Sequence, residues 1–298
     1  MTKFLLSVSL IFLIIFGGFG CGDSDNTTAT SSNETIIISS FINDDWEICS
    51  IKSDSSDFKN LSAYPSRDIS PIWNNDYTKV VFSTERNDSV FQIYTMNPDG
   101  SNQTKFPNIP NNAVTPSFSP DGTKLLFAIE HSGEIFQNII GNDTIVQLTN
   151  LNKNFAHYPE YSPDGSKIIF HAGNTGGQAD IYIMNSDGSN LQQITYASGD
   201  DICPHFNKDG TKIIYTSQRT GNYEIFLMNL DGSNQINISN SISSKEYNAV
   251  YSPDGTRIAF SSDRDKNAGV YDVYVMQADG TNVRRLTVSN NSNLVYDW

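Results

Sequence analysis

Basic residues are scarce. The 298-residue chain carries 19 Lys and Arg against 33 Asp and Glu, a formal charge of −14. A nucleic-acid binder needs clustered Lys and Arg to neutralise phosphates, so that class of partner is excluded. Charge of either sign is sparse, at 17% of residues, yet 17 Phe, 14 Tyr and 3 Trp supply more large apolar surface than a disordered chain carries. Three cysteines, at 21, 49 and 203, are too few for a disulfide scaffold and lack the paired short spacing of a zinc site. No Gly-x-Ser-x-Gly, His-Glu-x-x-His, P-loop or dinucleotide fingerprint is present, so neither a catalytic residue nor a cofactor is expected. Outside the amino terminus no window keeps a 3.6-residue apolar period, which excludes amphipathic helices.

The amino terminus is of a different kind. Lys3, an apolar run from Phe4 to Phe16 and the small-residue stretch before Cys21 have the layout of a secretory signal. A run of 13 residues is short of the roughly 20 that span a bilayer. Residues 1–20 are therefore expected to be a signal peptide and the chain to be exported. Gly18-Phe19-Gly20-Cys21 resembles a bacterial lipobox, with Gly18 where Leu is usual and Phe19 where a small residue is usual. That resemblance implies a lipidated Cys21; the alternative is ordinary cleavage after Gly20. Residues 21–34 are small and polar, as a flexible tether to a membrane would be.

Residues 35–298 repeat. The turn Ser-Pro-Asp-Gly recurs at Asp121, Asp164 and Asp254, with variants at Asp209 and Asp76, at spacings of 45, 43, 45 and 45 residues. A second turn keeps step at Asp54, Asp99, Asp187, Asp231 and Asp279. Pro presets φ, Asp accepts a hydrogen bond from its own backbone and Gly tolerates positive φ, so these are hairpin turns. Each unit holds four short runs rich in Ile, Val, Tyr and Phe, the pattern of antiparallel strands. The chain is expected to be all-β, a six-bladed β-propeller of four-stranded blades. Thr35 to Ser39 matches the second strand of a unit, and Asn293 to Trp298 matches only the first. The carboxy-terminal strand is thus expected to complete the amino-terminal blade and close the ring, with 44 residues per blade.

Phe-Ser-Pro-Asp-Gly-Thr-Lys-Leu-Leu-Phe (118–127), Ile-Tyr-Ile-Met-Asn-Ser-Asp-Gly-Ser-Asn (181–190) and Arg285-Leu286-Thr287 resemble the propeller repeats of the TolB family, a motif shared by tricorn-like and prolyl-oligopeptidase-like propellers. The resemblance covers about residues 35–298. It implies a cell-envelope protein, facing the periplasm or the surface. TolB proteins also carry an amino-terminal α/β domain, for which the short tether leaves no room; the hydrolase domain of prolyl-oligopeptidase relatives is absent as well.

Aligning the units at the start of the first strand, which lines a propeller's channel, gives a column of Asp68, Ala113, Ala156, Asp201 and Glu246, followed by Ile69, Val114, His157, Ile202 and Tyr247. Asp68, Asp201 and Glu246, with Asp200, His157 and Tyr247 beside them, are the candidate binding residues at one channel mouth. The expected occupant is an envelope protein or a small ligand, bound by a monomer; the alternative is that these are solvated loop acids. An Arg recurs at the end of the second strand, as Arg86, Arg219 and Arg264, and recurrence favours a structural role bridging loop carbonyls or Asp residues between blades. His171 is expected to be structural, and Cys49 and Cys203 buried free thiols. The competing class is a propeller lyase or hydrolase with a metal at the mouth. Oligogalacturonate lyases use a His-rich cluster, for which His157 and His205 are too few.

Overall fold

The computed structural model describes residues 34–298 except 88, 89, 143, 267, 268 and 289. The segment expected to be a signal peptide, Cys21 and the expected tether up to residue 33 lie outside the described residues. The described chain forms six four-stranded antiparallel sheets. Blade 4 shows the unit, with strands Phe155–Tyr161, Lys167–Gly173, Ala179–Asn185 and Gln192–Gln193. Blade 1 takes its first strand, Asn293–Asp297, from the end of the chain and its others, Thr35–Ile42, Asp45–Lys52 and Lys59–Asn60, from the beginning. The closure expected from the sequence is present, with Ser40 opposite Asn293 and Ile38 opposite Val295.

Two-sided burial explains the apolar runs. In a propeller each sheet packs against a neighbour on both faces, so alternate side chains of one strand enter different cores. In the second strand of blade 2, Val80 and Phe82 face blade 1 while Val81 faces blade 3. In blade 4, Ile168 and Phe170 face blade 3 while Ile169 faces blade 5. The buried apolar residues accordingly fall into six clusters, one at each seam between blades. The seam between blades 6 and 1 includes Val250, Ala259, Val273, Ile36, Ile38, Val295 and Trp298.

The first strands touch one another in turn around the ring and line its channel. Each carries one extra residue relative to its second strand, as where Ile69 faces Ser83 but Ile72 faces Val81. Ser70, Thr115, Tyr158, Cys203 and Asn248 sit at this bulge with φ between 50° and 56°. The next residue is Pro in four blades (71, 116, 159 and 204), tolerated because a bulge asks no ladder N–H of it. The bulge re-aims the strand at the channel wall, at five non-glycine positions where left-handed backbone is unfavourable. In the second turns, glycine does more than turn the chain. A Cβ on Gly100 or Gly232 would lie 2.3 or 2.2 Å from the Leu61 or Ile194 carbonyl of the preceding blade, so these glycines let adjacent blades approach.

Trp298, 2% exposed in the closing seam, lies under the Arg257 guanidinium at 4.7 Å. Trp298→Ala should cost about 3–5 kcal/mol in urea unfolding, the usual range for emptying such a site, and deletion of residues 294–298 should abolish the cooperative melting transition. A deletion variant that melts like the full chain contradicts closure by this strand.

Candidate functional site

The antiparallel order gives the ring two unlike faces. Connections from first to second and from third to fourth strands lie on one side, the turn face; the other two kinds lie on the strand-start face. The turn face carries Asp54, Asp76, Asp99, Asp121, Asp164, Asp187, Asp209, Asp231, Asp254 and Asp279, every one held below the ordinary carboxylate pKa by hydrogen bonds from nearby hydroxyls and backbone N–H groups. Asp121 shows the geometry. Its Oδ1 accepts from Ser119 Oγ at 2.6 Å and from the Thr123 N–H at 3.0 Å, which brings its pKa to about 2.

On the strand-start face the sequence expected Asp68, Asp201 and Glu246 to converge as ligands. The structure places all three at 0% exposure, each paired within its own blade to the recurrent arginine 18 residues on. Arg86 Nη2 lies 3.0 Å from Asp68, Arg219 Nη2 lies 3.0 Å from Asp201, and Arg264 pairs with Glu246. A second-strand hydroxyl on Thr84, Ser217 or Ser262 accepts from each Arg Nε. Two rings flank the Arg219 and Arg264 guanidiniums, and three flank Arg86: Tyr64, Phe82 and Tyr94 at 4.6, 5.2 and 4.8 Å. Burial pushes the Asp68 and Glu246 carboxyls up, against the pull of the arginines and hydroxyls. The arginines are structural as expected, but they bind carboxylates inside blades rather than between them. Gln103, accepting from Arg86 Nη1 at 2.7 Å and donating to the Leu61 and Ser62 carbonyls, carries one such network to the preceding blade.

Of the other candidates, Asp200 accepts from the Tyr223 hydroxyl at 2.8 Å and from the Ala179 N–H at 3.1 Å. Tyr247 packs between Tyr223 and Tyr271 at 4.6 and 5.4 Å. His157 sits across the strand pair from His171, and burial brings their pKa values down to about 4 and 3. His171 Nδ1 accepts the Cys203 N–H at 3.3 Å, a structural role. Cys49 and Cys203 are buried and free.

The cavity is at the opposite mouth. About 450 Å³ opens among the turns, walled by bulge residues Ser70, Thr115 and Tyr158, by aromatics Trp73, Tyr77 and Tyr296, and by Glu160, His205 and Asp297. These last three occupy one register position in blades 4, 5 and 1, next to the final aromatic of each first strand. His205 Nδ1 lies 2.9 Å from Glu160. Burial opposes a charge on His205, but Glu160, with a smaller contribution from Asp297, outweighs it and raises the pKa. Asp297 accepts backbone N–H groups from Trp73 at 2.9 Å and Trp298 at 2.7 Å; burial nevertheless lifts its pKa to about 6. Sequence reasoning aligned the starts of the first strands and missed their ends, although the column Ile72, Ser117, Glu160, His205, Val250 is readable two residues before each turn Ser or Asn, and Asp297 joins it four residues after Asn293, as His205 stands four after Asp201. Among the described residues, no three His, Cys, Asp or Glu side chains come together in a way that would hold a metal ion.

A family model described as the TolB beta propeller domain matches residues 99–245 and 199–298. Among solved structures, TolB from Acinetobacter baumannii superposes with a TM-score of 0.70 at 19% identity, covering 89% of this chain and 66% of that one. The present chain thus spans just under two-thirds of that protein. A structure described as TolB from Agrobacterium tumefaciens gives 0.70 at 20% identity, covering 88% and 97%. An oligogalacturonate lyase in complex with manganese gives 0.58 at 12% identity, covering 86% and 74%. At such identities the likeness is one of fold. No curated protein matches the sequence.

Removing one partner of a buried pair strands the other charge, so Asp201→Ala should cost about 3–5 kcal/mol in chemical unfolding. Asp201→Leu combined with Arg219→Met should cost clearly less; equal costs contradict the pairing. Asp297 has a folded pKa above its unfolded value, so the stability it contributes is complete below about pH 4 and is lost as pH rises through about 6. The melting temperature of Asp297→Asn relative to the parent should therefore rise between pH 5 and pH 7.5. A constant difference contradicts the buried carboxyl.

Proposed function

Because the chain belongs to the TolB β-propeller family, we propose that it is an interaction module of the cell envelope, exported by its amino-terminal signal and held to a membrane by lipid on Cys21. It works by binding rather than catalysis and receives a partner protein's segment, or a small ligand, in the turn-face mouth of its channel. One observation carries the choice of mouth: a cavity of about 450 Å³ where Glu160, His205 and Asp297 from three blades meet polar bulge residues. Concave sites with a few converging polar groups in an apolar wall are where ligands bind. At the strand-start mouth, Asp68, Asp201 and Glu246 are engaged by arginines, leaving His157, Asp200 and Tyr247 as the partly exposed candidates there.

The test is capture from the native envelope with crosslinking. Glu160→Gln combined with Asp297→Asn should reduce the yield of specific partner at least about tenfold, the effect of losing two charge-assisted contacts, while the melting transition stays cooperative. Undiminished capture by that variant, together with loss on Tyr247→Ala, moves the site to the strand-start mouth.

A further inference from the structure

Building on the reading that the turn-face mouth receives a polypeptide segment, we propose that the group it selects is a basic side chain, a guanidinium or an ammonium, held between the Glu160 and Asp297 carboxylates against the tyrosine rings of the wall. The cavity lining contains two carboxylates and one His but no Lys or Arg. Its rings include Tyr77, Tyr158, Tyr296 and Trp73; Tyr158 and Tyr296 lie parallel at 6.2 Å, and Tyr77 packs on Trp73 at 6.0 Å. A cation beside such faces gains from the ring quadrupole as well as from the carboxylates.

The protein supplies its own templates for this chemistry. Arg86, Arg219 and Arg264 each rest on a carboxylate with aromatic rings at 4.6 to 5.6 Å. The cavity offers a comparable set of acceptors with no arginine closing it: Glu160 meets His205 at 2.9 Å and Asp297 meets two backbone N–H groups, and each carboxylate keeps lone pairs for a guanidinium from outside. The indole N–H of Trp73, 7% exposed in the cavity wall, has no hydrogen-bond partner, and a backbone carbonyl accompanying the basic side chain would satisfy it. Around the rim, Asp76, Asp121, Asp164 and Asp209 stay ionised well below neutrality and favour approach of a cation. A metal ion fits less well, since among the described residues no three His, Cys, Asp or Glu side chains are grouped so as to hold one.

The groups facing Asp297 are His205, Glu160 and the Tyr77 hydroxyl, together with the N–H groups of Trp73 and Trp298. Asp297 ionises as pH rises through about 6 and His205 gives up its proton above its ordinary value. Both changes make the cavity more negative, so affinity for a cation should rise with pH.

Capped Gly-Gly-X-Gly-Gly peptides with X as Arg, Lys, norleucine or Glu, titrated calorimetrically into the mature chain, test the assignment. The Arg and Lys peptides should bind about tenfold more tightly than the norleucine peptide and the Glu peptide more weakly still. The preference should disappear in Glu160→Gln with Asp297→Asn, and Arg-peptide affinity should rise from pH 5 to pH 7.5. Equal binding of the norleucine peptide, lost in the exposed rim variant Asn75→Trp, overturns the basic-group assignment and leaves the mouth as a polypeptide site. Arg-peptide binding unchanged by either variant places the contact elsewhere and overturns both readings. Failure of all four peptides to bind also overturns the basic-group assignment.

Discussion

Each blade is apolar on both faces, and the rest of the structure follows from that. A strand such as Val80-Val81-Phe82 sends successive side chains into different seams, so an isolated blade would leave both apolar faces in water. Stacking blades postpones the problem to the two ends of the stack; closing the ring removes it. The strand Asn293–Asp297 pairs with Thr35–Ile42 and brings Val295 and Trp298 into the seam between blades 6 and 1. The closing strand also shapes the channel, because Tyr296 and Asp297 become part of the cavity wall only once the ring is shut.

Much of this was legible in the sequence because it repeats. The turn Asp at 121, 164 and 254, the short runs rich in Ile, Val, Tyr and Phe, and the complementary ends of the chain follow from local turn and strand chemistry. The fate of Asp68, Asp201 and Glu246 was legible too, but through a comparison of columns. Acid and Arg occur together, 18 residues apart, in blades 2, 5 and 6, while Ala113 and Ala156 stand in blades 3 and 4 with no Arg at the matching place. An acid column alone reads as a binding site; an acid column that comes and goes with an Arg column reads as an internal pair.

The cavity was less legible, for physical reasons. Glu160, His205 and Asp297 come from three blades, and each looks like an isolated substitution in a column otherwise filled by Ile, Ser and Val. Their convergence depends on the bulge that re-aims each first strand, and a bulge at Ser70, Thr115 or Tyr158 has no glycine to announce it. The same chemistry thus occurs in two settings. A carboxylate with aromatic neighbours is closed by an internal Arg in three blades; at the turn-face mouth Glu160 and Asp297 meet His205 and backbone N–H groups but no Arg, and the surrounding turn aspartates keep the potential negative.

The central claim is that the channel works through its turn-face mouth. A photo-crosslinking amino acid placed at Tyr77, on that mouth's wall, and separately at Tyr247, on the strand-start face, tests it in intact cells. The account predicts a discrete partner adduct from position 77 and none from position 247. An adduct from position 247 alone would contradict it.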